Sequence, residues 1–178
     1  VSTDTALISI GGKSAELPIL NATDGHSAID ISKLSSLTGL NTFDPGFVNT
    51  SATRSAITYI DGDKGILRYR GYPIEELAGS KSFLENAYLL IYGELPSASD
   101  FGNFEDRIRR HTLIHEDLKN IFHAMPQNAH PMSVLSAGVS ALSTFYQDSL
   151  NPHDEAQVEL STIRLLAKLP VLAAYAQK

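Results

Sequence analysis

Apolar and polar residues alternate with two different periods along this chain, and the change falls near residue 70. Ala6-Leu7-Ile8-Ser9-Ile10 and Ala15-Glu16-Leu17-Pro18-Ile19 alternate with the period of two that puts successive side chains on opposite faces of a strand. Gly11-Gly12 between them has the length of a tight hairpin turn, whose backbone needs positive φ. Asn41 to Phe47 has loop chemistry, with Pro45-Gly46 suited to the centre of a type II turn. Ser55 to Ile60 is a strand by its β-branched content, and Asp61-Gly62-Asp63-Lys64-Gly65 leads to a second strand over Ile66 to Arg70. In that turn Asp61-Gly62 is expected to supply the positive φ.

From Gly71 onward the period becomes helical. Pro73 suits the first turn of a short helix ending at Gly79. Ser82 with Glu85 forms a capping box ahead of the apolar run Ala87 to Tyr92, and Gly93 closes that helix. Ser97 with Asp100 caps a charged helix that includes Glu105 to Arg110, and another segment runs from Glu116 to Ala124, before Pro126. Asn128 or His130 begins a helix with Pro131 in its first turn, reaching about Tyr146; Asn151-Pro152 starts the last, which passes Pro170. The expected fold class is therefore mainly α: a small β-rich lobe with a hairpin over residues 1–70, then a helical domain over 71–178. The final helix stops at Ala173-Ala174-Tyr175-Ala176-Gln177-Lys178 without a left-handed terminator, so the 178 residues are expected to be a truncated, leading part of a larger protein.

Composition narrows the chemistry. Twenty acidic against fourteen basic residues give a net charge of -6 with no clustered basic face, which argues against nucleic acid as a partner. The absence of cysteine excludes disulfides, thiolate nucleophiles and cysteine metal sites, and fits a cytoplasmic protein. The longest apolar runs fall far short of the roughly 20 residues that cross a bilayer, and Val1-Ser2-Thr3-Asp4 lacks the features of a signal peptide, so no membrane association is expected.

The candidate motifs are weak by themselves. Asp61 to Gly65 opens like a calcium loop, but the fifth, sixth and twelfth positions hold Gly65, Ile66 and Tyr72 in place of an oxygen ligand, glycine and glutamate, and the turn reading is preferred. His111 and His115 have the spacing of one helical face, yet Thr112 follows the first histidine where a metalloprotease has glutamate; a pair of polar histidines near a helix junction is favoured. His130 is favoured as a capping or core histidine over a catalytic one. The nucleophile elbow, the dinucleotide glycine fingerprint and the P-loop pattern do not occur. On the helix after His130, Leu135, Val139, Leu142 and Tyr146 follow one stripe while Ser133, Ala137 and Ala141 form a small-residue ridge. That helix is expected to pack on two sides, its second partner being either another subunit or its own domain.

A more specific signal comes from motifs in order: Asp44-Pro45-Gly46-Phe47; the continuous stretch from Ile57 through Asp61-Gly62-Asp63-Lys64-Gly65-Ile66-Leu67-Arg68-Tyr69-Arg70-Gly71 to Ala78; Tyr92-Gly93-Glu94-Leu95-Pro96; Arg110-His111-Thr112; His130-Pro131-Met132; and Arg164 to Pro170. Together these resemble the front of bacterial citrate synthases, across nearly the whole chain. The resemblance implies a transferase that condenses acetyl-CoA with oxaloacetate and water to citrate and CoA, with no tightly bound cofactor and no metal. It places the family's aspartate base, two histidines and oxaloacetate arginines beyond residue 178, so no catalytic residue is expected here and the segment alone is expected to be inactive. It also implies an NADH effector site on Arg110, His111, Thr112, Tyr146, Arg164 and Lys168, where cations and hydroxyls suit a pyrophosphate and ribose ligand. The same residues would serve equally as structural ion pairs. A homodimer through the helix after His130, or a hexamer of three dimers, is implied as well. The alternatives are a 2-methylcitrate synthase using propionyl-CoA and a non-catalytic helical interaction module.

Overall fold

Hairpins form where the turn residues can take positive φ, and the first does so as the sequence predicts. A computed structural model describes residues 4–177. Strands β1 (Thr5–Ile10) and β2 (Lys13–Leu20) pair antiparallel with Ile10 opposite Lys13, so Gly11 and Gly12 are the whole loop, at φ +56° and +81°. β3 (Ala28–Ile29) joins the other edge of β2. A helix that period-two patterning does not reveal, α1 (Leu34–Thr38), packs on this sheet, where Leu34 closes a small core over Ala15 and Leu17 with Ile8 at its margin. Five residues cannot hold a helix alone. Burial of Leu34 and Thr38 accounts for this one, with the Thr38 hydroxyl bonded to the Leu34 carbonyl at 2.8 Å.

The Pro45-Gly46 turn is present: Gly46 has φ +78° and the Phe47 N–H donates to the Asp44 carbonyl at 3.3 Å. A second antiparallel sheet follows, of β4 (Thr58–Asp61), β5 (Ile66–Tyr69) and β6 (Tyr72–Pro73). In the β4–β5 turn the positive φ falls at Gly65 (+66°) and not at Gly62. The reason is local: the Asp61 carboxylate accepts from the Lys64 N–H and Nζ, both at 3.0 Å, and folds the first half of the turn without a left-handed residue. Arg70 takes φ +49° before Gly71 at the tip of the β5–β6 hairpin. Its strain is held by tethers, Nη2 donating to the Leu90 carbonyl at 2.7 Å and Nη1 to Ala56 at 3.4 Å.

Helix α2 (Ile74–Ser80) begins after Pro73, which stands as its cap, and runs one residue beyond Gly79. α3 (Phe83–Tyr92) shows both halves of the Ser82–Glu85 capping box and ends on Gly93 at φ +93°. One compact unit runs through Leu95, taking in α2 and α3 with the sheets, and a second runs from Pro96.

The second unit is helical. α4 (Ala98–Arg110) is capped by Ser97, whose hydroxyl accepts from the Asp100 N–H at 3.2 Å; α5 (Glu116–Ala124), α6 (Pro131–Phe145) and α7 (Glu155–Ala176) follow, with a single 3-10 turn, Gln147–Ser149, between the last two. α7 starts later than Asn151-Pro152 suggests. Asn151 accepts from the His153 N–H in a turn of its own, and Asp154 caps the helix by accepting from Ala156 and Gln157. The core joins Ile114, Leu118 and Phe122 to Val134, Leu142, Leu172 and Ala176. The inward face of α6 is Val134, Gly138 and Leu142, one position round from the expected stripe; Leu135, Val139 and Tyr146 flank it, half-buried. Among the described residues no helix is long and apolar enough to cross a membrane.

Candidate functional site

The six residues singled out for a nucleotide ligand all lie in the helical unit, where the ends of α4 and α6 and the middle of α7 deliver them. Arg164 and Lys168 are four apart on α7 and so share one face. Both reach the ring of Tyr146, which ends α6: the Arg164 guanidinium lies 4.8 Å from the ring centroid and Lys168 Nζ 4.6 Å. His111 follows the last residue of α4, and the Lys168 ammonium donates to its carbonyl at 2.6 Å and to the Leu113 carbonyl as well. Lys168 is 1% exposed. A cation so deeply buried needs compensation, and two carbonyls plus an aromatic face supply it.

Arg164 is held differently. Its two terminal nitrogens grip the Asp148 carboxylate at 2.6 and 2.9 Å, and Nη1 also donates to the Ser149 hydroxyl at 2.8 Å. The fork keeps the Asp148 carboxyl below its ordinary range and Arg164 firmly protonated. Burial, and then the charges of Arg164, Lys168 and Arg107, push the His111 imidazole below its usual value, with Asp148 opposing them. His111 is thus kept neutral beside a group of cations.

Two of the six stand apart. The Arg110 side chain is 76% exposed and points along its own helix to Asp106, 3.6 Å away. The Thr112 hydroxyl donates back to the Arg109 carbonyl at 2.9 Å. The structure therefore gathers His111, Tyr146, Arg164 and Lys168 but leaves Arg110 and Thr112 on local partners. Asp148 and Ser149, the counter-charge and its neighbour, were not singled out from sequence; an acidic residue in a short turn 16 positions from its arginine carries no local signal. Chemically the arrangement is a cation cluster whose donors are turned largely inward, so an anionic ligand would compete with Asp148 for Arg164.

The histidines occupy junctions. His111 ends α4 and His115 caps α5, its Nδ1 accepting from the Asp117 N–H at 3.1 Å, so the two do not share a helical face. His130 caps α6 in the same way through the Met132 N–H at 3.2 Å. Among the described residues no group of three or more His, Cys, Asp or Glu is placed to hold a metal ion.

Residues 46–178 match the family model for the citrate synthase C-terminal domain. The chain belongs to the citrate synthase family. It is 58% identical over 175 residues to citrate synthase 1 of Mycobacterium tuberculosis, covering 98% of this chain and 41% of that protein. It is 52% identical over 180 residues to the citrate synthase of Corynebacterium glutamicum, covering all of this chain and again 41% of the relative. The crystal structure of citrate synthase from Pyrobaculum aerophilum superposes with a TM-score of 0.64 at 29% identity, over 89% of this chain and 37% of that one. The chain thus spans about two fifths of the length of the curated citrate synthases it matches.

Proposed function

We propose that the intact protein condenses acetyl-CoA with oxaloacetate and water to citrate and free CoA, and that this chain supplies helical framework to that enzyme. The observation that carries the reading is identity of 58% to a citrate synthase sustained over 98% of the chain. The reaction needs a carboxylate to take a weakly acidic proton from the thioester methyl, a donor to steady the developing enol oxygen, and arginines to hold the dicarboxylate. The groups near Tyr146 do not form that set, since their carboxylate is locked to Arg164. Thiol release by the intact protein tests the reading: turnover with acetyl-CoA and oxaloacetate well above that with propionyl-CoA is expected, and the reverse ratio would assign 2-methylcitrate synthesis. The companion proposals are assembly through α6 as a homodimer or hexamer, and a cytoplasmic location.

A second reading, of an NADH effector, is favoured by one observation: Tyr146, Arg164, Lys168 and His111 converge on one place. In this reading the pyrophosphate takes over Arg164 from Asp148 and recruits the exposed Arg110. Titrating the intact enzyme with NADH should then inhibit it, and Arg110→Leu should raise the half-inhibitory concentration about tenfold, equivalent to the loss of about 1.4 kcal/mol of binding. Equal sensitivity in both forms discards the site.

A further inference from the structure

Asp-Gly occurs twice in the chain, at Asp24-Gly25 and at Asp61-Gly62. In such a dipeptide the carboxyl meets a backbone N–H that no Cβ screens, so the two can close into a five-membered ring. Neither glycine N–H has an acceptor among the described residues, so any difference between the two lies with the acid. Asp61 ends β4, where it pairs with Ile66, and its side chain is 18% exposed. Its carboxylate accepts from Lys64 Nζ and from the Lys64 N–H, bonds that fix its direction and hold it ionised, below its ordinary range. Asp24 is placed quite differently. It lies in residues 21–27, between β2 and β3, all of them exposed and outside helix and strand. The Asp24 carboxylate meets Arg68 Nη1 at 3.0 Å, but the two side chains are 48% and 39% exposed, and water opens such a pair at little cost. Asp24 also borders a solvent-open cleft of about 980 Å³ between this segment and residues 51–59.

We propose that Asp24 is a site of spontaneous conversion to isoaspartate through a cyclic imide with Gly25, and that the fold protects Asp61 from the same reaction. In the first step the Gly25 backbone nitrogen attacks Asp24 Cγ. A C–N bond forms, the Cγ–OH bond breaks, and the hydroxyl leaves with the amide proton as one water. Water then opens the imide at either carbonyl. Addition at Cγ restores aspartate. Addition at the backbone carbonyl of Asp24 breaks its bond to the Gly25 nitrogen, leaving a free α-carboxylate and a chain that runs through Cβ and Cγ. The sum of the two steps is an isomerisation with no change in mass and no co-reactant except water. The product adds one backbone atom to the segment that leads into the short Leu20–Ala28 end of the β2–β3 ladder. It also moves the carboxylate that met Arg68. Its new α-carboxylate is the group that isoaspartyl-specific methyltransferases esterify with S-adenosylmethionine, so a repair enzyme of that class is the partner this segment fits.

The test ages the intact, folded protein for weeks at physiological temperature and pH. Isoaspartate is then read at each dipeptide by peptide mapping and by methyl transfer from S-adenosylmethionine with an isoaspartyl methyltransferase. Isoaspartate is expected at Asp24 and at least about tenfold less at Asp61, where hydrogen bonds to a charged carboxylate must first be lost. Free peptides spanning residues 20–29 and 57–66 are expected to isomerise at similar rates, which assigns the difference to the fold. Asp24→Glu keeps an acid within reach of Arg68 but would need a six-membered imide, so the signal from this segment should disappear while circular dichroism is unchanged. Gly25→Ala is a poor substitute, because Gly25 has φ +88° and a Cβ there would lie 3.3 Å from the Tyr59 ring. Lys64→Ala should raise isoaspartate at Asp61 in the folded protein, since it removes one of the two bonds that hold the acid. An Asp24 that stays unmodified in the protein while its peptide isomerises overturns the proposal. Equal accumulation at the two sites overturns it as well, because the fold would then make no distinction between them.

Discussion

Gly138 is the residue on which helical packing in the second unit is most finely balanced. A Cβ built at this position would lie 2.6 Å from Cζ of Phe122, a buried ring in the same core. Alanine would gain up to about 1 kcal/mol of helix propensity but force the ring to move, and overpacking costs about 1–3 kcal/mol. Gly138→Ala is therefore expected to lower the denaturant midpoint with the slope unchanged, a net loss of about 1 kcal/mol. In the sequence Gly138 looks like another small residue beside Ala137. Its role depends on a ring 16 positions earlier, which no local pattern connects to it. The capping residues Ser82, Ser97, His115 and His130 are the opposite case, because a side-chain acceptor next to a helix start acts on N–H groups two or three residues away.

Among the elements, α7 ties the second unit together. It carries Arg164 to the turn after α6 and Lys168 to the connector between α4 and α5, while Glu159 meets Arg107 of α4 at 2.6 Å. Lys168→Met keeps most of the side-chain volume but leaves the carbonyls of His111 and Leu113 without the ammonium. Buried acceptors stripped of their donor cost about 1–3 kcal/mol each. A loss of about 2 kcal/mol is expected in denaturant melts. Amide exchange should rise most over residues 111–115, whose placement Lys168 sets; uniform loosening of the unit would contradict this role. The helices themselves were legible from caps and periods to within a few residues. Departures occurred where a side chain competed with the expected signal, as at Asp154, or where burial sustained a helix too short to announce itself, as at α1.

For the whole molecule, the family relationship sets the expectation. The chain matches about two fifths of each curated relative, and the one carboxylate near its cation cluster is held by an arginine. The 178-residue chain by itself is accordingly expected to release no thiol from acetyl-CoA and oxaloacetate above a boiled control, and the intact protein is expected to turn over; measurable release by the chain alone would move the chemistry into these residues. The sequence by itself determined the β1–β2 and β4–β5 hairpins, most helix boundaries and the family, because turns, caps and ordered motifs act over a few residues at a time. Tertiary structure alone decided that Arg164 is clasped by Asp148, that Lys168 is buried against two carbonyls, and that Arg110 and Thr112 stand aside. The first two depend on groups 16 and 57 positions apart meeting, which burial makes obligatory only once the helices have packed, and Arg110 and Thr112 are left to partners within four residues.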